Sequence, residues 1–158
     1  MIKTALGLTL TAVMLSAWFP NLSFGGSGDE RYEHKDKSFV RDTKKEIVLD
    51  TKTSRMYYDS KPSKPMHFFA AWEHCEKMDY LGSNDWRVPS KDELRTLLEL
   101  SRRSVTVKHA FKNVKEERYW SSTDARFGKA WYYDFDLGRY STTDYTYKYR
   151  VFCVRDSK

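Results

Sequence analysis

Positive side chains interleaved with tyrosines are the part of this sequence best suited to chemistry. Arg102, Arg103, Lys108, His109, Lys112, Lys115 and Arg118 form its densest cationic stretch, broken only by Glu116 and Glu117. Further along, Arg126, Lys129, Arg139, Lys148 and Arg150 alternate with Tyr132, Tyr140, Tyr145 and Tyr147. Sulfate groups are held by ammonium point charges and guanidinium forks, and sugar rings pack on aromatic faces. The candidate ligand residues for an anionic or sulfated polysaccharide are therefore Arg102, Arg103, Lys108, Lys112, Lys115, Arg139, Lys148, Arg150, Tyr140 and Tyr147. An ordinary solvated surface fits the same residues equally well, because 22 acids are interspersed among the 28 lysines and arginines. Nucleic acid would meet the same charges, but the export signal described below argues against it.

Other chemistries find less support. Ser121 and Ser122 sit in Tyr119-Trp120-Ser121-Ser122-Thr123, yet a serine becomes a nucleophile only beside a base, and no His stands in any motif. These hydroxyls are better read as satisfying backbone groups between aromatic core residues. His67 and His74 lie two helical turns apart, too far to share one ion. Asp134 and Asp136 alternate onto one strand face and could bind a cation, although a solvated strand face explains them better. Asp85-Trp86-Arg87-Val88-Pro89 is read as structural. Its Arg would hold the loop through charge-assisted bonds to carboxylates or carbonyls while Trp86 fills the core. No catalytic residue, metal site or cofactor follows from the sequence.

The chain has 158 residues with a net charge of +6, and 16% of it is aromatic. That length fits one domain, and the low overall hydropathy excludes a multi-span membrane protein. The aromatics exclude disorder. Residues 1–25 read as a signal peptide, with Lys3 ahead of an uncharged stretch over 4–19, then Pro20 and small residues. Residues 26–38 read as a flexible tether and 39–158 as a single folded domain. The expected localisation is exported, either periplasmic or at the cell surface. In an oxidising compartment a solitary pair, Cys75 and Cys153, reads as a disulfide rather than a metal or catalytic site. The two are 78 positions apart, so closing the loop contributes about 4 kcal/mol in the chain-entropy model.

Period-two segments predict strands at 39–40, 46–49, 55–58, 118–122, 130–135, 139–143 and 147–155, with a turn at Asp136-Leu137-Gly138-Arg139. In the last strand Tyr147, Tyr149, Val151 and Cys153 face one way, and Lys148, Arg150, Phe152 and Val154 the other. Residues 66–78 switch to helical period, with Phe68, Trp72 and Cys75 on one face and Gly82 as a C-terminal cap. A second helix opens at the capping box Ser90-Lys91-Asp92-Glu93 and buries Leu94, Leu97, Leu98 and Leu100. Trp72, Trp86, Trp120 and Phe135 are expected in the core. The fold class is α+β: two helices packed on an antiparallel β-sheet.

Trp72 with Cys75, the 85–94 string, Tyr119-Trp120-Ser121-Ser122-Thr123, Trp131-Tyr132-Tyr133-Asp134-Phe135 and Val151-Phe152-Cys153-Val154-Arg155 together resemble the C-terminal domain family of the Legionella collagen-like adhesin, over about residues 41–155. The resemblance implies a C-type-lectin-like or formylglycine-generating-enzyme-like fold, with one disulfide linking the first helix to the last strand. It implies a secreted or surface module whose best-known member binds sulfated glycosaminoglycans as a trimer, so the homo-oligomer it suggests is a trimer. This chain has no Gly-X-Y repeat to drive trimerisation, and it lacks the calcium-ligand strings of calcium-type lectins. An oxidase of the formylglycine-generating kind needs two reactive cysteines close together, whereas both cysteines here are committed to the bridge. The expected function is a non-enzymatic, exported, adhesion-like module for anionic or sulfated glycans. The alternative is a structural or protein-binding envelope component with no glycan ligand.

Overall fold

Aspartates at strand ends set the hairpins of this chain. The computed structural model describes residues 38–100 and 106–157. The expected signal peptide over 1–25, the tether up to residue 37, and Arg102 and Arg103 lie outside the described residues. Strands β1 (Phe39–Asp42) and β2 (Ile47–Asp50) are joined by a turn in which the Asp42 carboxylate accepts the N–H groups of Lys44 and Lys45, each at 3.0 Å. Before β3 (Arg55–Tyr58), Asp50 accepts from the Lys52 N–H at 2.9 Å and the Thr53 hydroxyl at 2.7 Å. A short carboxylate reaches the N–H two residues on, and this is why aspartate starts a turn where the longer glutamate does not. Ser38 is buried and its carbonyl accepts the Thr51 N–H at 2.7 Å, so the folded unit begins one residue inside the stretch expected as tether.

Helix α1 (Phe68–Glu76) is shorter at both ends than the 66–78 expectation and buries Phe68, Ala71 and Cys75. Trp72 is 38% exposed rather than in the core: Phe68 takes the central contact, edge-on to Trp120 at 5.5 Å, and leaves Trp72 at the margin of the stripe. Trp86, Trp120 and Phe135 are buried as expected. Gly82 does not cap α1, which ends on Lys77. With φ of 70° it serves a separate turn, closed by reciprocal bonds between Tyr80 and Ser83. Helix α2 (Lys91–Thr96) opens with the complete capping box. The Ser90 hydroxyl accepts the Glu93 N–H at 3.2 Å, and the Glu93 carboxylate accepts the Ser90 N–H at 2.7 Å. Leu94 and Leu97 are buried, but Leu100 lies past the end of the helix and is exposed.

The remaining strands are β4 (Arg118–Asp124), β5 (Lys129–Asp134), β6 (Arg139–Asp144), β7 (Arg150–Val151) and β8 (Val154–Asp156). The fold is α+β, but in place of one antiparallel sheet there are two four-stranded sheets, ordered β1-β2-β3-β8 and β6-β5-β4-β7. All their pairings are antiparallel except β4 with β7. The strand expected over 147–155 is divided. Its first part pairs with β4, its second with β3, and Cys153 lies in the gap between β7 and β8. The disulfide therefore joins α1 to the junction of the two sheets rather than to the middle of a strand.

That junction runs between two cores. Tyr149, Val151 and Cys153 pack with Phe68, Ala71, Cys75, Trp86 and Trp120. Phe152 and Val154 pack with Val48, Tyr57, Leu94, Leu97, Tyr119, Tyr133 and Phe135. The alternation expected from the sequence holds, but from Val151 to Val154 both of its faces are buried, while Tyr147 and Lys148 are exposed. Backbone bonds fix the crossing: Met66 and Tyr149 exchange N–H and carbonyl, Arg87 and Val154 do the same, and the Tyr58 N–H reaches the Cys153 carbonyl at 3.0 Å. Among the described residues no helix is long and apolar enough to cross a membrane.

Cys75 and Cys153 are both buried, with Cα atoms 5.4 Å apart. Replacing the pair by alanines is expected to cost about 4 kcal/mol of unfolding free energy in a urea titration. Thiol titration of the denatured, unreduced protein is expected to find no free thiol. Two free thiols would show that the bridge does not form.

Candidate functional site

The string 85–89 is engaged in holding the fold together. The Arg87 guanidinium grips both oxygens of Glu93 at 2.8 Å, and Arg55 reaches the same carboxylate at 2.9 Å. Arg87 and Arg55 also approach Asp156 on β8, and Arg155 forks onto Asp85 at 2.7 and 3.1 Å. One buried carboxylate thus completes a helix cap and ties the 85–89 loop to β3, while Asp156 and Arg155 tie the loop to β8. Burial works to raise the pKa of Glu93. The Arg87 fork, the Ser90 N–H and the two positive charges outweigh it, so the group lies below the ordinary carboxylate value of 4.5.

The neighbouring hydroxyl and carboxylate candidates are also structural. Ser121 is buried and accepts the Thr123 N–H, while the Thr123 hydroxyl accepts the Lys91 N–H at 2.9 Å. Asp134 is not on a solvated strand face. It is buried, accepts Nε of Arg118 at 3.0 Å, and holds the β5–β6 turn through the N–H groups of Asp136 and Leu137. Gly138 completes that turn at φ of 62°, a conformation that favours glycine. Among the described residues no group of three His, Cys, Asp or Glu side chains is placed to hold a metal ion.

The candidate cations divide into engaged and open side chains. Lys108 pairs with Glu99 at 3.5 Å, and Arg150 pairs with Glu117 at 2.7 Å while also reaching the Ser63 carbonyl. Lys112, Lys115, Arg139 and Lys148 are exposed and, among the described residues, form no ion pair. The loop carrying the first two is fixed through its backbone. The Lys112 N–H donates to Asp59 at 2.8 Å and the Lys115 N–H to the buried Tyr119 hydroxyl at 3.0 Å.

Strand register sorts the remaining candidates onto two faces of the β6-β5-β4-β7 sheet. Tyr119, Tyr133 and Tyr140 are aligned across three strands on one face. Arg118, Asp134 and Arg139 are aligned on the other, with Tyr132. On that second face the Arg118 guanidinium lies 5.8 Å from the Tyr132 ring and 5.7 Å from the Tyr149 ring, and Tyr147 packs on Tyr149 at 6.2 Å. Tyr140 is 47% exposed and Tyr147 55% exposed.

Two residues absent from the sequence-based set complete the first face. The Trp131 ring lies 5.5 Å from Tyr140, and Lys91 Nζ sits 4.3 Å from the Trp131 centroid and 5.5 Å from that of Tyr140. Beneath them Tyr133, 5.4 Å from Tyr140, is fully buried and its hydroxyl has no hydrogen-bond partner. Burial, followed by the neighbouring Tyr140, pushes that hydroxyl up to about 12, so it stays neutral and able to donate. The available signal was the i, i+2 spacing of Trp131 and Tyr133, which places both rings on one strand face. Lys91 gave no signal, because its contact with the sheet depends on where α2 docks.

A model of the Lcl C-terminal domain family matches residues 38–155, and the chain belongs to that family. No curated protein matches it.

The lowered pKa of Glu93 fixes the sign of one pH effect. Its contribution to stability is complete above the ordinary carboxylate value of 4.5 and is lost as pH falls through the lowered folded-state value. Glu93→Gln is expected to cost about 2 kcal/mol near neutral pH and to flatten the acid limb of a melting-temperature profile. An unchanged acid limb would show that Glu93 is not the group responsible.

Proposed function

We propose that this member of the Lcl C-terminal domain family is a non-enzymatic, exported binding module with a C-type-lectin-like fold that recognises anionic or sulfated polysaccharide at the cell envelope. One observation carries the reading: Tyr140 on β6 and Tyr147 in the β6–β7 connection stay about half-exposed, and the cations Arg139, on the sheet face opposite Tyr140, and Lys148 are exposed with no acidic partner among the described residues. Side chains of this kind are available to anionic sugars, the guanidinium and ammonium groups for sulfate and the phenol rings for the sugar face. Lys112 and Lys115 extend the open positive charge onto the neighbouring loop. The implied trimer would add avidity by presenting several such surfaces at once.

A second reading, a protein-binding envelope component, is favoured by Phe69 and Phe127, which are 68% and 95% exposed. Phe127 stands at the tip of the β4–β5 turn between Arg126 and Gly128, and all three residues have positive φ. Solvent-exposed aromatics of this size are frequent contacts in protein interfaces.

On immobilised heparin the full chain is expected to be retained at low ionic strength and released by salt, since electrostatic binding is strongest where screening is weakest. A variant carrying Arg139→Gln and Lys148→Gln is expected to elute at lower salt. Flow-through at low ionic strength would reject the polysaccharide reading. Co-purification of a defined protein partner, undisturbed by charge reversal at Lys112 and Lys115, would support the second.

A further inference from the structure

We propose that Trp131, Tyr140 and Lys91 form a subsite for one pyranose ring bearing a carboxylate or sulfate. This assignment rests on the polysaccharide reading above and gives it a specific location.

Three features of the cluster support the assignment. First, Trp131 and Tyr140 stand side by side on adjacent strands, 5.5 Å between ring centroids, with Tyr140 47% exposed. The apolar face of a pyranose packs against such rings much as another aromatic would. Second, the rim carries more positive than negative charge. Lys91 and Arg95 are one helical turn apart on the same side of α2; of the two acids between them Asp92 is exposed, while Glu93 is buried and turned onto Arg87 and Arg55. Third, the fully buried Tyr133 ring lies under Tyr140 at 5.4 Å and backs the pair from the core side.

Lys91 links the empty and occupied arrangements. In the free protein its ammonium lies over the Trp131 and Tyr140 rings, a cation–π contact that covers the platform. Binding moves Nζ off the rings and onto the sugar's anionic group, so one favourable contact replaces another and the ring faces are freed together with the charge that orients the ligand. The backbone need not move: the Lys91 N–H remains on the Thr123 hydroxyl and α2 remains capped by Ser90 and Glu93.

The test uses the full chain with heparin oligosaccharide as the sulfated probe, polyguluronate as the carboxylate-only probe and dextran as the neutral one. Trp131→Ala and Tyr140→Ala are each expected to weaken binding to the anionic probe about tenfold, whereas Trp131→Phe restores it. Lys91→Gln is expected to lower affinity for the anionic probes while leaving any dextran binding unchanged. Loss with heparin alone assigns the anion as sulfate, and loss with both assigns it as either group. Circular dichroism verifies that each variant is folded. Where Trp131→Ala fails to fold, Tyr140→Ala and Lys91→Gln provide the readout, because neither removes a buried ring. Wild-type heparin affinity in folded Tyr140→Ala and Lys91→Gln would overturn this subsite and leave the polysaccharide reading standing. Absence of binding by the wild-type chain to either anionic probe would overturn both.

Discussion

The fold depends on how one short segment is pinned. Residues 149–154 cross from the β6-β5-β4-β7 sheet to the β1-β2-β3-β8 sheet, and successive side chains enter two different cores. A segment buried on both sides must have its backbone polar groups paired within the protein. Met66, Arg87, Tyr58 and β4 supply those partners, and the Ser63 hydroxyl accepts the Val151 N–H at 2.8 Å. The Cys75–Cys153 bond fastens this crossing to α1. Both sheets share the segment, so loosening it would disturb both cores at once. A bond that limits the unfolded chain stabilises most where the loop it closes is long, and here the loop contains α2 and all four strands of the β6-β5-β4-β7 sheet.

Charged side chains are largely used to build this frame. Asp42, Asp50 and Asp134 each end a strand and hold the turn that follows, and Asp124 does the same for the Arg126 N–H at 3.1 Å. Glu93 receives two arginines and a helix cap, and Asp59 receives Arg41 together with two backbone N–H groups. With many acids turned inward or onto turns, the excess positive charge is left with open cations on the surface.

The legible parts of the sequence were those governed by neighbours along the chain. Period-two patterning marked most of the strands within a residue or two, and the capping box located the start of α2, because each depends on residues at most four positions apart. The placement of Cys75 on a buried helix face followed from helical spacing in the same way. The errors arose where a distant element decided the outcome. Trp72 lost its core position to Phe68, which reaches Trp120 first. Asp134 became a buried turn anchor because Arg118 lies opposite it on β4. The strand over 147–155 broke because two sheets compete for it.

The sequence by itself determined that this is a disulfide-bridged α+β chain, and that its tyrosines and cations recur together in the second half. It could not determine which of those side chains meet. Arg139 and Tyr140 are consecutive yet face opposite sides of a sheet, while Lys91 and Trp131, far apart along the chain, come within cation–π distance. The pleat fixes the first relation locally. The docking of α2 on β5 fixes the second, and packing between elements distant in sequence follows from the cores they bury together, which only the tertiary structure brings into contact.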